Sequence, residues 1–135
     1  MASYRLREAA ELLGVSDDSL RRWADAGRVE VHLDDAGVRV IDGAVLARFA
    51  VENARATPDT GAVAGQSARN RFVGLVTRVV RDTVMAQVEL QCGPYRVVSL
   101  MSREAADELE LEPGVTAVAA VKSTNVVIEI PEGRS

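Results

Sequence analysis

"MAQVELQC", residues 85–92, alternates without a break: Ala86, Val88, Leu90 and Cys92 fall on one side, and Met85, Gln87, Glu89 and Gln91 on the other. A period of two puts successive side chains on opposite faces of an extended chain, so the stretch reads as a half-buried strand. "FVGLVTRVV" before it (72–80) and "YRVVSLM" after it (95–101) read as strands too. A short helical stretch follows, "SREAADELEL" (102–111), then a turn at "EPG" (112–114) and a final strand run, "VTAVAAVKSTNVVIEI" (115–130). Strands at this spacing with one short helix predict a small closed or nearly closed barrel. About 65 residues make a thin independent core, so a neighbouring subunit is expected to complete it.

Upstream the pattern changes. "NARATPDTGAVAGQ" (53–66) is rich in Ala, Thr, Gly and Pro, has neither a 3.6 nor a 2.0 period, and reads as a linker. Before it, apolar residues fall at helical spacing: Ala9, Leu12 and Leu13 on one stripe, Leu20, Trp23 and Ala24 on the next. The first helix, from about Arg7, stops at Gly14, and Ser16 caps a second whose first turn carries Asp17 and Asp18. Gly27 ends it, "VEVHLDDAGVRVI" (29–41) forms a short hairpin around Ala36 and Gly37, and Asp42 caps a third helix that buries Val45, Leu46 and Phe49. The expected class is therefore α+β in two small domains: residues 1–54, helical apart from that hairpin, and a β-barrel over 67–131, with 55–66 as a flexible linker.

Composition narrows the function. The chain has 135 residues, 47% hydrophobic and 27% charged, enough for one modest core or two small ones. Its net charge of −4 is wrong for a protein that coats nucleic acid nonspecifically, so any such contact must be local. One cysteine, Cys92, forbids an internal disulfide, and one histidine, His32, leaves no thiolate and imidazole metal set. These two fall in different halves with no evident partner, so no catalysis is expected. The start "MASYRLREAA" lacks an apolar signal core, and no run of about 18 apolar residues occurs. A cytoplasmic protein that does not enter a membrane is expected.

Two resemblances sharpen this. "REAAELLGVSDDSLRRWADAGRV" (7–29) resembles the winged helix-turn-helix of the MerR and excisionase-like families, over residues 4–50. The resemblance implies an all-α domain with a hairpin wing, its second helix in the major groove of DNA, with Arg21 and Arg22 as phosphate or base contacts and Arg39 in the wing. Asp34 and Asp35 depart from the basic or small residues common in that wing, and residues 1–60 hold eight Arg against eleven Asp plus Glu. A single copy is expected to bind DNA weakly and several copies together usefully.

The blocks "SARNRFVGLV" (67–76), "SREAADELELEPG" (102–114) and "VKSTNVVI" (121–128) resemble, in order, the molbindin (Mop/TOBE) domain, an OB-like small barrel that binds molybdate or tungstate. It implies an oxyanion site at subunit interfaces of a homo-oligomer, a dimer or higher such as a hexamer. Ser67, Arg69, Lys122 and Ser123 would come from one chain and Ser102 from another, with Asn70 supporting the local turn. Ser102 stands for the usual threonine, and Ala105 for a second hydroxyl. Molybdate is a tetrahedral dianion with acceptor oxygens only, so fixed N–H and O–H donors and about two positive charges suit it, and no side chain need ligate the metal directly. Together the two resemblances imply a DNA-binding regulator that senses the oxyanion. The alternative is an intracellular molybdate store whose helical domain binds protein or is inactive.

Overall fold

The computed structural model describes residues 2–54 and 68–132. Ser67 and the linker assigned to 55–66 lie outside the described residues. The chain divides into two compact units, each treated by itself.

In the first unit, α1 (Leu6–Leu13) ends at Gly14, whose φ of 71° lets its N–H turn back to the Glu11 carbonyl at 3.1 Å. α2 (Asp17–Asp25) opens on Ser16, whose Oγ accepts from the Ser19 N–H at 3.1 Å, with Asp17 and Asp18 beside the free amides of the first turn. β2 (His32–Leu33) and β3 (Arg39–Asp42) form the expected hairpin, and α3 (Gly43–Asn53) follows. At the hairpin tip the Asp34 carboxylate accepts from the N–H groups of Ala36 and Val38, each at 2.9 Å. That acidic residue is part of the turn itself.

Two expectations are corrected here. The unit is not all-α, because β1 (Ser3–Arg5) pairs with β3 and makes a three-stranded sheet of order β1-β3-β2. No local pattern in "SYR" announces a pairing made 37 residues downstream. Leu12 is 52% exposed, and the buried stripe of α1 is Leu6, Ala9 and Ala10, with Leu13 packed beside them. Leu20, Val29, Ile41, Leu46 and Phe49 complete this core. Trp23 packs against it, its ring 5.7 Å from that of Phe49, and the Arg28 guanidinium lies over both at 5.1 and 5.9 Å.

The second unit is a single antiparallel sheet, β4 (Asn70–Arg81), β5 (Met85–Cys92), β6 (Tyr95–Ser102) and β7 (Thr116–Val121), in the order β6-β5-β4-β7, with α4 (Arg103–Glu108) between β6 and β7. β4 pairs with β7 through residues 70–75 and with β5 through 75–81, with a register shift between Val76 and Arg78. A bulge of this kind bends a strand and strengthens its twist. The sheet curls into a half-barrel, and β6 and β7 remain its open edges. The alternation in β5 is realised: Ala86, Val88, Leu90 and Cys92 are buried with Val76, Ala106 and Leu111. Glu89 faces the other way yet is only 6% exposed, because Arg96 Nε donates to its Oε1 at 2.6 Å and Arg78 Nη1 stands 3.5 Å from its Oε2.

The final run is shorter than its sequence suggests. β7 stops at Val121, a 3-10 turn occupies Ser123–Asn125, and residues 126–131 join no ladder. Val127, Ile128 and Ile130 are each 81% exposed. A strand needs an edge to pair with, and neither open edge of the described sheet takes this one.

Gly74 marks the tightest passage of the half-barrel. A Cβ there would stand 2.6 Å from both Cys92 Sγ and the Gln91 carbonyl oxygen. Gly74→Ala is expected to lower stability by about 1–3 kcal/mol in urea unfolding. Adding Cys92→Ala does not restore it, because the carbonyl cannot move aside.

Candidate oxyanion-binding site

At one end of the sheet the register Asn70↔Val121 brings the start of β4 against the end of β7. Asn70 Nδ2 donates to the Val121 carbonyl at 3.1 Å, so Asn70 ties two strands 51 residues apart in sequence, where support of a local turn was expected. Arg69 and Lys122 lie one residue beyond this pair, opposite each other. Lys122 keeps an extended backbone (φ −64°, ψ 142°) and Ser123 opens the 3-10 turn, with the Asn125 N–H closing back on the Lys122 carbonyl at 2.9 Å. Arg69, Lys122 and Ser123 are therefore neighbours on exposed backbone. Arg71, which the sequence did not single out, stands near them, two residues beyond Arg69 and within β4. Its partner is Ala120, two residues from Lys122.

Ser102 is elsewhere. It ends β6 opposite Met85, at the end of the sheet where β4 reaches Arg81. β4 runs 12 residues, about 36 Å if straight, so a single chain does not bring Ser102 to Lys122. Its Oγ accepts from the Ala105 N–H at 3.1 Å, which caps α4 and leaves the hydroxyl proton free to donate elsewhere. The depression beside it is also lined by Thr83, Val84, Arg103, Glu104, Asp107 and Glu108. This end offers a hydroxyl donor, and its three carboxylates outnumber its one arginine.

What holds α4 in place is well defined. Arg81 Nε donates to Asp107 Oδ1 at 2.9 Å and its Nη2 to the Leu111 carbonyl at 2.7 Å. The Arg103 N–H reaches the Val84 carbonyl at 2.8 Å, and its Nη1 the Asp82 carbonyl at 3.1 Å. Asp82 in turn accepts from the N–H groups of Met85 (2.7 Å) and Val84 (2.8 Å). Those amides, Met85 first, hold its carboxyl below the ordinary value of 3.8.

In the first unit Arg21 and Arg22 are exposed on α2, and Arg22 Nη2 donates to Ser19 Oγ at 3.3 Å. Arg39 is engaged, its Nη2 being 3.1 Å from Asp25 Oδ1. Among the described residues no group of three His, Cys, Asp or Glu converges on a metal position, and no helix is long and apolar enough to cross a membrane.

A curled antiparallel half-barrel with one helix before its last strand is consistent with a Mop- or OB-like domain. The TOBE domain family matches residues 66–128. Over 63 residues the chain is 36% identical to molybdenum-pterin-binding protein 2 of Clostridium pasteurianum, a match covering 93% of that protein and 46% of this chain. This chain belongs to the TOBE family through its second unit. A stretch of 63 residues is also 36% identical to the molybdenum transport protein ModE of Herbaspirillum seropedicae, where it covers 46% of this chain but only 23% of the relative. Among solved structures, the cytoplasmic molybdate-binding protein ModG with molybdate bound is 35% identical, with a TM-score of 0.48, covering 50% of this chain and 49% of that one.

A pH dependence follows from Asp82. Its folded pKa is depressed, so its contribution is present above the unfolded pKa and lost as pH falls through the folded one. Thermal melts should show Asp82→Ala less stable than wild type at pH 7. The gap should narrow only below about pH 4.

Proposed function

We propose that this protein binds molybdate or tungstate through its second unit and DNA through its first, as an oxyanion-responsive transcriptional regulator in the cytoplasm. The observation that carries the binding half is the meeting of Arg69, Lys122 and Ser123 at the β4–β7 end, in a chain whose TOBE relatives are named for molybdenum binding. Two cations match the charge of a dianion, and hydroxyl and amide donors match its oxygens. Ser67, the leading residue of the same block, is assigned to this end as well.

Ser102 enters from a second copy. One chain holds the cationic end and the Ser102 end apart, so an antiparallel pair of copies forms two identical sites by setting each copy's Lys122 end against the other's Ser102 end. The open β6 and β7 edges and the exposed Val126–Ile130 segment give such copies unpaired backbone and apolar surface to join by. The oligomer is a dimer or a larger assembly of dimers, such as a hexamer.

The DNA half rests on α1, the Gly14–Ser16 turn and α2, arranged as a helix-turn-helix with the β2–β3 hairpin as wing, and on the exposed Arg21 and Arg22. Storage without DNA binding is the second reading. It is favoured by one observation: Arg39, the wing cation, is already paired with Asp25.

Calorimetry tests the binding half: Arg69→Ala and Lys122→Ala should each weaken molybdate binding by about tenfold or more, as expected for one lost charge-assisted contact. Unchanged affinity in both removes the site from this end. Gel shifts with DNA from the protein's own locus test the other half. Replacing Arg21 and Arg22 with Ala should weaken binding and flatten its salt dependence by about one counterion per contact. A wild-type protein that shifts no such fragment, with or without molybdate, leaves storage as the function.

A further inference from the structure

Arg71 is the one cation near the β4–β7 end that the family resemblance leaves without a role. Its Nε is buried and has no hydrogen-bond partner among the described residues, and neither Arg71 nor Lys122 makes an ion pair with any of them. A guanidinium carries five donors and stays charged, so leaving a buried N–H unsatisfied has a cost that something must offset. The sequence spacing shows where it lies: Arg69 stands one residue before β4 and two before Arg71, roughly 7 Å along an extended chain, and Lys122 stands one residue past β7 and two from Ala120, the partner of Arg71. Three cations thus border one patch. An anion set between Arg71 and Lys122 would give both of these charges, neither ion-paired to a described residue, a partner. Elsewhere in the second unit Arg78 and Arg96 pair with Glu89, and Arg81 and Arg103 with Asp107.

We propose that Arg71 is a third cationic ligand of the oxyanion site, donating from its fork to a tetrahedral dianion held by Arg69 and Lys122. The inference rests on the oxyanion reading and adds to it a residue that sets affinity. Its guanidinium gives two directed donors where a lysine would give a point charge.

Calorimetry and unfolding of the full chain test it together. Arg71→Gln should weaken molybdate binding about tenfold while leaving the ligand-free melting temperature and oligomer size unchanged, and Arg71→Lys should recover part of the loss. Arg7→Gln, which removes the same charge from α1 in the first unit, should leave molybdate affinity as in wild type. If Arg71→Gln binds as tightly as wild type while Arg69→Ala and Lys122→Ala lose affinity, the role of Arg71 is overturned and the site stands. If Arg7→Gln loses as much as Arg71→Gln, the effect is one of net charge and the proposal fails. A wild-type chain that binds no molybdate overturns the oxyanion reading and this inference with it.

Discussion

The twelve residues of β4 serve two partners by halves, and the rest of the second unit follows from that division. Residues 70–75 bond to β7 and 75–81 to β5, so the strand must bend where it changes partner. The register shift at Thr77 supplies the bend, and Gly74, with no room for a Cβ, lets Cys92 and the Gln91 carbonyl close in beside it. Curling puts Val76 at the centre of the buried cluster. It also sets Arg69 and Lys122 near one end of the strand and Ser102 with α4 near the other. The proposed oxyanion site, drawing on both ends, would be a property of an assembly, and ligand binding would then be linked to association.

Under the proposed regulatory reading, that linkage is how an oxyanion would act on DNA. The first unit carries more acid than base, so on that reading DNA affinity would depend on how many copies are presented together and at what spacing. An anion that bridges chains changes both. Asp34 does less harm to such binding than its charge suggests, since its carboxylate is occupied by the amides of its own turn. Asp25 does more, because it holds Arg39.

Much of this was legible in the sequence because the decisive signals are local. The β5 alternation, the Ser16 cap, the Gly14 stop and the hairpin at Gly37 each depend on a few adjacent residues, and each stands in the structure. What escaped depends on register. Glu89 belongs to the polar side of β5 by alternation, but its burial follows from Arg78 and Arg96 on the flanking strands. Arg71 comes near Lys122 only through the register that pairs it with Ala120. β1 and the unpaired 126–131 segment are matters of which edge is available, and edges are not written in any one stretch of chain. Arg69, Lys122 and Ser123 could be named beforehand because a family pattern holds them in order, and the separation of Ser102 from them emerged only with the sheet.

Subunit mixing measures the shared site most directly. Arg69→Ala/Lys122→Ala spoils one end of the chain and Ser102→Asp the other, the latter by setting a carboxylate against the anion. Neither variant alone should bind molybdate in calorimetry. Unfolded and refolded together, they form mixed pairs in which one site combines both intact ends, and binding should return at up to one anion per mixed pair. Failure of the mixture to bind while mixed pairs form, or Ser102→Asp binding as wild type does, would contradict a site built from two chains.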